Sequence, residues 1–281
     1  MRKSNFLHII LLLIICISTV ECANKNFSIK NESQINSEVK TITDLKVKNS
    51  DYKLVWAEEF NGKGVPDSTR WSYDIGTGDW GWGNNEKEYY TSRSENVNIS
   101  NGVLGITALK EKYNGSEYTS TRMLTRDKFS FTYGKVEVRA KLPSGVGTWP
   151  AIWMLGSNIK TVGWPNCGEI DIMEHKGCNL NKIYSTLHYP KHFGDKADGD
   201  SITIKNANKE FHTYSTEWTS TFIKFYVDNE IVKTFVNDRA SPFHKNFHII
   251  LNVAMGGNFA GPLDSNITKA TMEVDYVRVY Q

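Results

Sequence analysis

The chain has 281 residues, 12% of them aromatic, and a formal net charge of +2. That balance supplies no basic field for nucleic acid, and no Lys/Arg-rich run appears along the sequence. Only four cysteines occur, two of them (Cys16 and Cys22) before residue 23, so a disulfide-framed scaffold is also excluded.

The first element is Met1-Arg2-Lys3, an apolar run from Phe6 to about Ile17, and small or polar residues from Ser18 to Ala23. A basic start, a short apolar centre and a small-residue exit describe a secretory signal peptide over residues 1–22. The apolar centre, about 12 residues, is short of the ~20 that cross a bilayer as a helix. Val20-Glu21 lacks the small residues that a lipoprotein site at Cys22 would show. The expected destination is therefore extracellular, with no membrane attachment once the signal is removed.

Residues 23–50 are rich in Asn, Lys, Ser and Glu and carry no aromatic after Phe27, the composition of a solvated linker. From Asp51 the aromatics begin and continue to Tyr280, which assigns residues 51–281 to one domain. Its segments read as strands nearly throughout. "KLVWAEEF", "VNISNGVLGITALK", "YGKVEVRAKL", "FHTYSTEWTSTFIKFYVDNEIVKTF", "FHIILNVAM" and "MEVDYVRVY" show alternation or β-branched and aromatic enrichment. Asn101-Gly102 and Asp228-Asn229 are hairpin signals. Helical periodicity is absent but for one turn's worth in "SPFHKNF". Many antiparallel strands without a helical layer predict an all-β fold, a β-sandwich of jelly-roll type whose curved outer face forms a concave groove.

One strand is unusual. "GEIDIMEH", residues 168–175, sets Glu169, Asp171 and Glu174 in an apolar run. Period-two alternation puts Glu169 and Asp171 on one face and Ile170 and Ile172 on the core side, but sends Glu174 the wrong way. A β-bulge with Met173 as the extra residue restores parity and aligns all three acids. Paired carboxyls across a scissile bond are the machinery of glycoside hydrolysis, and Asp171 between the glutamates can hold one of them protonated. Spacing alone leaves open that the acids are merely solvated on a sheet face. Cys167 and Cys178 flank this strand, and extended chain between them would separate their Cα atoms by ~20–30 Å, far beyond the ~7 Å limit for a bridge. Two free thiols are expected.

The surroundings favour sugar. "GTWPAIWMLG" brings Trp149 and Trp153 ahead of the acidic strand, Trp164 lies in the loop before it, and "GDWGWGNNEKEYY" adds Trp80, Trp82, Asn84, Asn85 and Tyr89. Indoles stack on the apolar faces of sugar rings and amides bond their hydroxyls. Trp56, Trp71 and Trp218 alternate within strands and read as core. His188 in "TLHYP" reads either as a structural histidine or as a group facing the acids.

With "FSFTYGKVEVRAKLPSGVGTWPAIWMLGSNIKTVGWPNC" ahead of the acids and "ILNVAMGGNFAG" and "MEVDYVRVY" behind, the chain resembles the laminarinase branch of glycoside hydrolase family 16 from about Leu54 to Tyr280. The resemblance implies a β-jelly roll that cleaves internal β-1,3-glucan bonds with retention. By resemblance Glu169 is the nucleophile, Asp171 the assisting acid and Glu174 the acid/base. Asn85, Arg122, Trp149, Trp153, Trp164 and His188 match positions lining the sugar subsites. The extra Met173 matches laminarinases and marine galactan hydrolases, whereas lichenases and xyloglucan-active members use a regular E-x-D-x-E strand. The resemblance implies no catalytic cofactor. It does imply a structural calcium on the convex side, at the carbonyls of Glu59 and Gly102 and the side chain of Asp275, weakly held because only one carboxylate contributes. The partner is a polysaccharide, and a monomer is expected. The segment "KHFGDKADGDSITIKNANKEF" and Cys178 do not match the family pattern. Two alternatives stay open here: the same mechanism on mixed-linkage glucan or a galactan, and a non-catalytic β-glucan-binding protein on the same fold.

Overall fold

Antiparallel hairpins build almost everything described by the computed structural model, which covers residues 52–281. The proposed signal peptide and linker lie outside the described residues. In chain order the strands are β1 (Leu54–Glu58), β2 (Ser72–Asp74), β3 (Glu88–Tyr90), β4 (Val97–Ser100), β5 (Val103–Tyr113), β6 (Ser116–Ser120) and β7 (Arg122–Leu124). They continue with β8 (Gly134–Lys141), β9 (Thr148–Gly156), β10 (Glu169–His175), β11 (Lys182–His188) and β12 (Asp198–Thr203). The last five are β13 (His212–Trp218), β14 (Phe222–Val227), β15 (Glu230–Val236), β16 (Phe247–Met255) and β17 (Lys269–Tyr280).

Both predicted hairpins form. β4 and β5 turn at Asn101-Gly102 and β14 and β15 at Asp228-Asn229, and all four turn residues have positive φ, as a two-residue turn that follows the strand twist requires. The turn expected in "SPFHKNF" is not helical. Instead, two four-residue helices occur elsewhere, α1 (Ile159–Val162) and α2 (Gly257–Ala260), each too short to leave a periodic signal. No helix among the described residues is long and apolar enough to cross a membrane.

The strands form two sheets. One has ten strands in the order β15-β14-β13-β8-β17-β5-β6-β3, with β1 on β17 and β4 on β5. The other has seven, β12-β11-β10-β9-β16-β7-β2. This is the β-sandwich of jelly-roll type expected from the strand pattern. β8 shows strict alternation, with Val136, Val138 and Ala140 buried and the residues between them partly exposed. These pack in one core with Ile152 and Met154 of β9, Ile170 and Ile172 of β10, and Ile249, Leu251 and Val253 of β16. Trp71 and Trp218 are buried there, as their alternation predicts, and Trp56 packs against its edge.

β16 is buried along its whole length because its second face lies under the floor of a groove. There Ile250 joins Leu124, Leu155 and Cys167 in a small apolar cluster beneath Trp153 and Ile159. Cys167 is thus buried, while Cys178 is exposed, and both thiols are free as expected.

Candidate active site

β10 is where backbone geometry creates the site. Against β9, Asp171 pairs with Trp153 but Met173 pairs with Ile152, so two residues of β10 advance the partner by one. Against β11, the register likewise shifts between Asp171 and Glu174. The bulge is therefore shared by Ile172 and Met173, and Ile172 rather than Met173 lacks a partner on the β9 side. Both side chains are fully buried in the core. Burying two adjacent apolar side chains is worth roughly 1.5–3 kcal/mol each, which fixes the irregular register against slippage. Past the bulge, Glu174 returns to the face that carries Glu169 and Asp171.

That face forms one wall of a groove of about 750 Å³. Glu169 accepts a hydrogen bond at Oε2 from Trp164 Nε1 at 3.1 Å. Glu174 accepts from Trp149 Nε1 at 3.1 Å and from Thr186 Oγ1 at 3.2 Å. The indoles of Trp149 and Trp164 thus each orient one glutamate. Asp171, only 4% exposed, lies between them with its Oδ2 lacking a hydrogen-bond partner. His188, opposite Glu169 on β11, brings Nε2 to 3.4 Å from Asp171 Oδ2 and 3.8 Å from Glu169 Oε1. Gly194 N donates to His188 Nδ1 at 3.3 Å, which assigns the ring proton to Nε2, aimed at the acids.

All three acids resist ionisation. Burial, then the charge of Asp171, pushes Glu169 up to about 8. Burial and Glu174 hold Asp171 well above the usual carboxylate range. Burial raises Glu174 too, opposed by His188 and by the Trp149 and Thr186 hydrogen bonds. Carboxyls this close titrate as a set, so the first ionisation makes each later one harder. Each glutamate meets donors that favour its charged form, Trp164 N–H at Glu169 and Trp149 N–H with Thr186 O–H at Glu174.

A second wall rises from the loop between β2 and β3. Trp80, Trp82 and Asn85 all have positive φ there, and a Cβ on Gly81 would come within 2.5 Å of Glu86 N. Non-glycine residues enter that region at a cost, so the loop shape is held by its contacts. Arg122 supplies the main one: its guanidinium lies 4.6 Å from the Trp82 ring and 4.7 Å from the Trp153 ring, while its Nε is 3.2 Å from Asp74. Trp153 donates to Asn252 at 2.8 Å, Asn252 to Tyr90 at 3.0 Å, and Tyr90 to Glu86 at 3.0 Å, tying the floor to the loop.

Of the residues expected at the sugar subsites, Arg122, Trp149, Trp153, Trp164 and His188 line the groove. Asn85 does not. Its side chain bonds Asn258 at 2.8 Å, and the neighbouring Asn84 faces the groove. Sequence reasoning passed over Asn252, Phe259 and Lys176. The signal for Asn252 was a lone amide inside the apolar strand "FHIILNVAM". Lys176 caps the far wall, its ammonium 4.2 Å from the Phe259 ring, which in turn lies 5.0 Å from Trp149. The unmatched segment 191–211 places Gly194, Asp195 and Ala197 along the rim.

The expected calcium ligands lie on the ten-stranded sheet and the loops at its edge. Arg139 Nη1 bonds Asp275 Oδ2 at 2.5 Å, and Arg278 clamps Glu59 at 2.8 and 2.9 Å. Among the described residues, the one group of three acidic, histidine or cysteine side chains close enough to share a cation is Glu169, Asp171 and His188.

Comparison with known proteins matches residues 84–278 to the family model "Glycosyl hydrolases family 16". The chain is 45% identical over 247 residues to a β-glucanase of Rhodothermus marinus, covering 82% of this chain and 85% of that one. It superposes on the X-ray structure of the laminarinase from Rhodothermus marinus with a TM-score of 0.78 and 44% identity, covering 82% and 97%. It matches the catalytic domain of an endo-1,3-β-glucanase from Thermotoga petrophila with the same TM-score at 42% identity, covering 82% and 98%. An all-β sandwich whose grooved sheet presents three carboxyls beneath tryptophans, with this degree of likeness, is a glycoside hydrolase, and the chain belongs to glycosyl hydrolase family 16.

Proposed function

We propose that the protein is an exported, monomeric, retaining endo-β-1,3-glucanase acting on laminarin-type glucans. Residues 1–22 serve as signal peptide, 23–50 as linker and 51–281 as catalytic domain. The observation that carries the reading is the bulged acidic strand, with an indole N–H on each outer acid. In this reading Glu169, ionised, attacks the anomeric carbon while protonated Glu174 delivers its proton to the departing oxygen. Glu174, now a carboxylate, takes a proton from water, which releases the sugar from Glu169 with its configuration kept. Asp171 keeps the proton where it is needed by opposing a second charge beside it. Trp149, Trp153 and Trp164 offer stacking faces, and Arg122 and His188 offer donors to hydroxyls. The net charge of +2 gives no ground for a nucleic-acid partner.

A panel of laminarin, curdlan, barley β-glucan, agarose and xyloglucan, with product sizing and NMR of the first product, tests this. The expected result is fastest cleavage of laminarin to mixed oligosaccharides with β-configured new ends. An α-configured first product overturns retention, and preference for agarose or barley glucan overturns the substrate.

A structural calcium at Glu59, Gly102 and Asp275 fits this chain poorly. Calcium takes six to eight oxygens, and the one contributing carboxylate is already neutralised by Arg139. A site with a Kd of about 1 mM adds only ~0.4 kcal/mol at 1 mM calcium. Chelation should therefore leave the melting temperature nearly unchanged. A loss of many degrees on adding EGTA would show that Asp275 leaves Arg139 for a tightly held ion.

A further inference from the structure

We propose that Glu169, Asp171 and His188 form an inhibitory site for Zn2+, open only while no sugar occupies the groove. The geometry is close to what the ion takes. Ligands at 2.0–2.1 Å around tetrahedral zinc sit about 3.3 Å from one another. His188 Nε2 and Asp171 Oδ2 are 3.4 Å apart, His188 Nε2 and Glu169 Oε1 3.8 Å, and all three ligand atoms lie within 4.8 Å. Glu169 has only to close the remaining gap, and Trp164 already holds its other oxygen.

A second observation, the unmet bonding capacity of one of these atoms, points to a cation. Asp171 Oδ2 is a buried carboxylate oxygen without a hydrogen-bond partner, and it faces the space between the other two ligands. Buried polar atoms are rarely left so in folded proteins, and a metal ion would satisfy this one. The donor set of one imidazole and two carboxylates, with a fourth position open to the groove, suits zinc. It does not suit calcium or magnesium, which take oxygen ligands in larger or octahedral sets.

The site also carries a built-in cost. A zinc ion on His188 Nε2 requires the ring proton to move to Nδ1, where Gly194 N–H now donates. Dedicated zinc centres instead give the second ring N–H an acceptor. This site is therefore weaker than a resident metal centre and releases its ion to a chelator. Because two of the ligands are the acids that the proposed reaction uses, zinc and substrate exclude each other. That competition rests on the proposed function; the metal site does not.

Isothermal titration of the full chain, stripped with chelator and titrated with zinc chloride, tests the proposal. One zinc per chain is expected, with binding weakened about tenfold or more in both His188→Gln and Asp171→Asn. Laminarin oligosaccharide should weaken it in the unaltered chain, and calcium chloride should give no heat that those substitutions abolish. Melting curves and circular dichroism establish that the variants are folded, and Glu169→Gln is the further variant if one is not. Absence of zinc binding, or binding unchanged in the folded variants, overturns the site. If zinc binds at these residues but the stripped protein leaves laminarin intact, the functional reading falls and the metal site stands.

Discussion

Glu169→Gln is expected to abolish laminarin hydrolysis while leaving oligosaccharide binding within a few-fold of the unaltered enzyme. An amide has nearly the shape of the carboxyl it replaces and still meets Trp164, so stacking on the tryptophans survives. It cannot form the covalent bond to the sugar. Loss of a nucleophile that acts in concert with its partners costs on the order of 10⁶-fold in turnover, by analogy with other covalent catalysts. Glu174→Gln removes the proton donor instead and should cost ~10²–10⁴-fold. Its effect should depend on the substrate. A leaving group that departs without protonation, such as a nitrophenolate, should recover much of the lost kcat/KM, which reports the first step, in Glu174→Gln and none in Glu169→Gln. Kinetics on laminarin and on a nitrophenyl glycoside, with binding measured separately, check the assignment. Substantial turnover of laminarin by Glu169→Gln, or equal rescue of both variants, would overturn it.

The second large effect is on stability against pH, and its sign follows from which state holds the proton. Glu169 has an ordinary value of 4.5 and is pushed up to about 8 in the fold, so between these pH values the folded chain keeps a proton that the unfolded chain has lost. Stability contributed by this group is therefore lost as pH rises from 4.5 to 8. Two buried histidines act in the opposite sense. Burial lowers His175 and His248 to about 4, so the unfolded chain binds more protons between about 4 and 6.5 and stability rises with pH there. The two trends oppose each other up to about 6.5, beyond which the histidines no longer contribute; Asp171, Glu174 and Glu88, also raised by burial, act in the same sense as Glu169. The melting temperature should thus fall from about pH 6.5 towards pH 8. A tenfold difference in proton affinity between the two states is worth about 1.4 kcal/mol, so the fall can reach a few kcal/mol. Glu169→Gln should flatten that fall and be the more stable protein at pH 8. Melting temperatures of both proteins from pH 5 to 9 decide the matter, and parallel curves would show that Glu169 is not the group responsible.

Sequence pattern carried the sandwich and its acids because both depend on local rules. Alternation in "YGKVEVRAKL" fixes which residues of β8 face the core, and Asn101-Gly102 fixes a hairpin whatever surrounds it. Parity along "GEIDIMEH" was enough to require a bulge, since three acids cannot share a face without one. The second wall was harder. Consecutive left-handed residues in the loop before β3 destroy any periodicity, so nothing in "GWGNNE" says that Asn84 rather than Asn85 faces the groove. The contacts that support the floor are remote in sequence: Asn252 and Tyr90 are 162 positions apart. Lys176 beside Phe259 is likewise a product of tertiary packing, joining the end of β10 to a short helix after β16.

The shared bulge at Ile172 and Met173 bears on how such a strand can change over generations. The alignment of Glu174 with its partners is set by how many residues separate it from Asp171, not by which residues they are. Loss of a single codon between them would leave the last acid two positions from Asp171, aligned with it only if the strand gives up the bulge and runs regularly. Point substitutions at the same place would alter packing while leaving the count intact. The arrangement is therefore tolerant of spelling and intolerant of length. A lineage can move between a bulged and a regular acidic strand only by a discrete step.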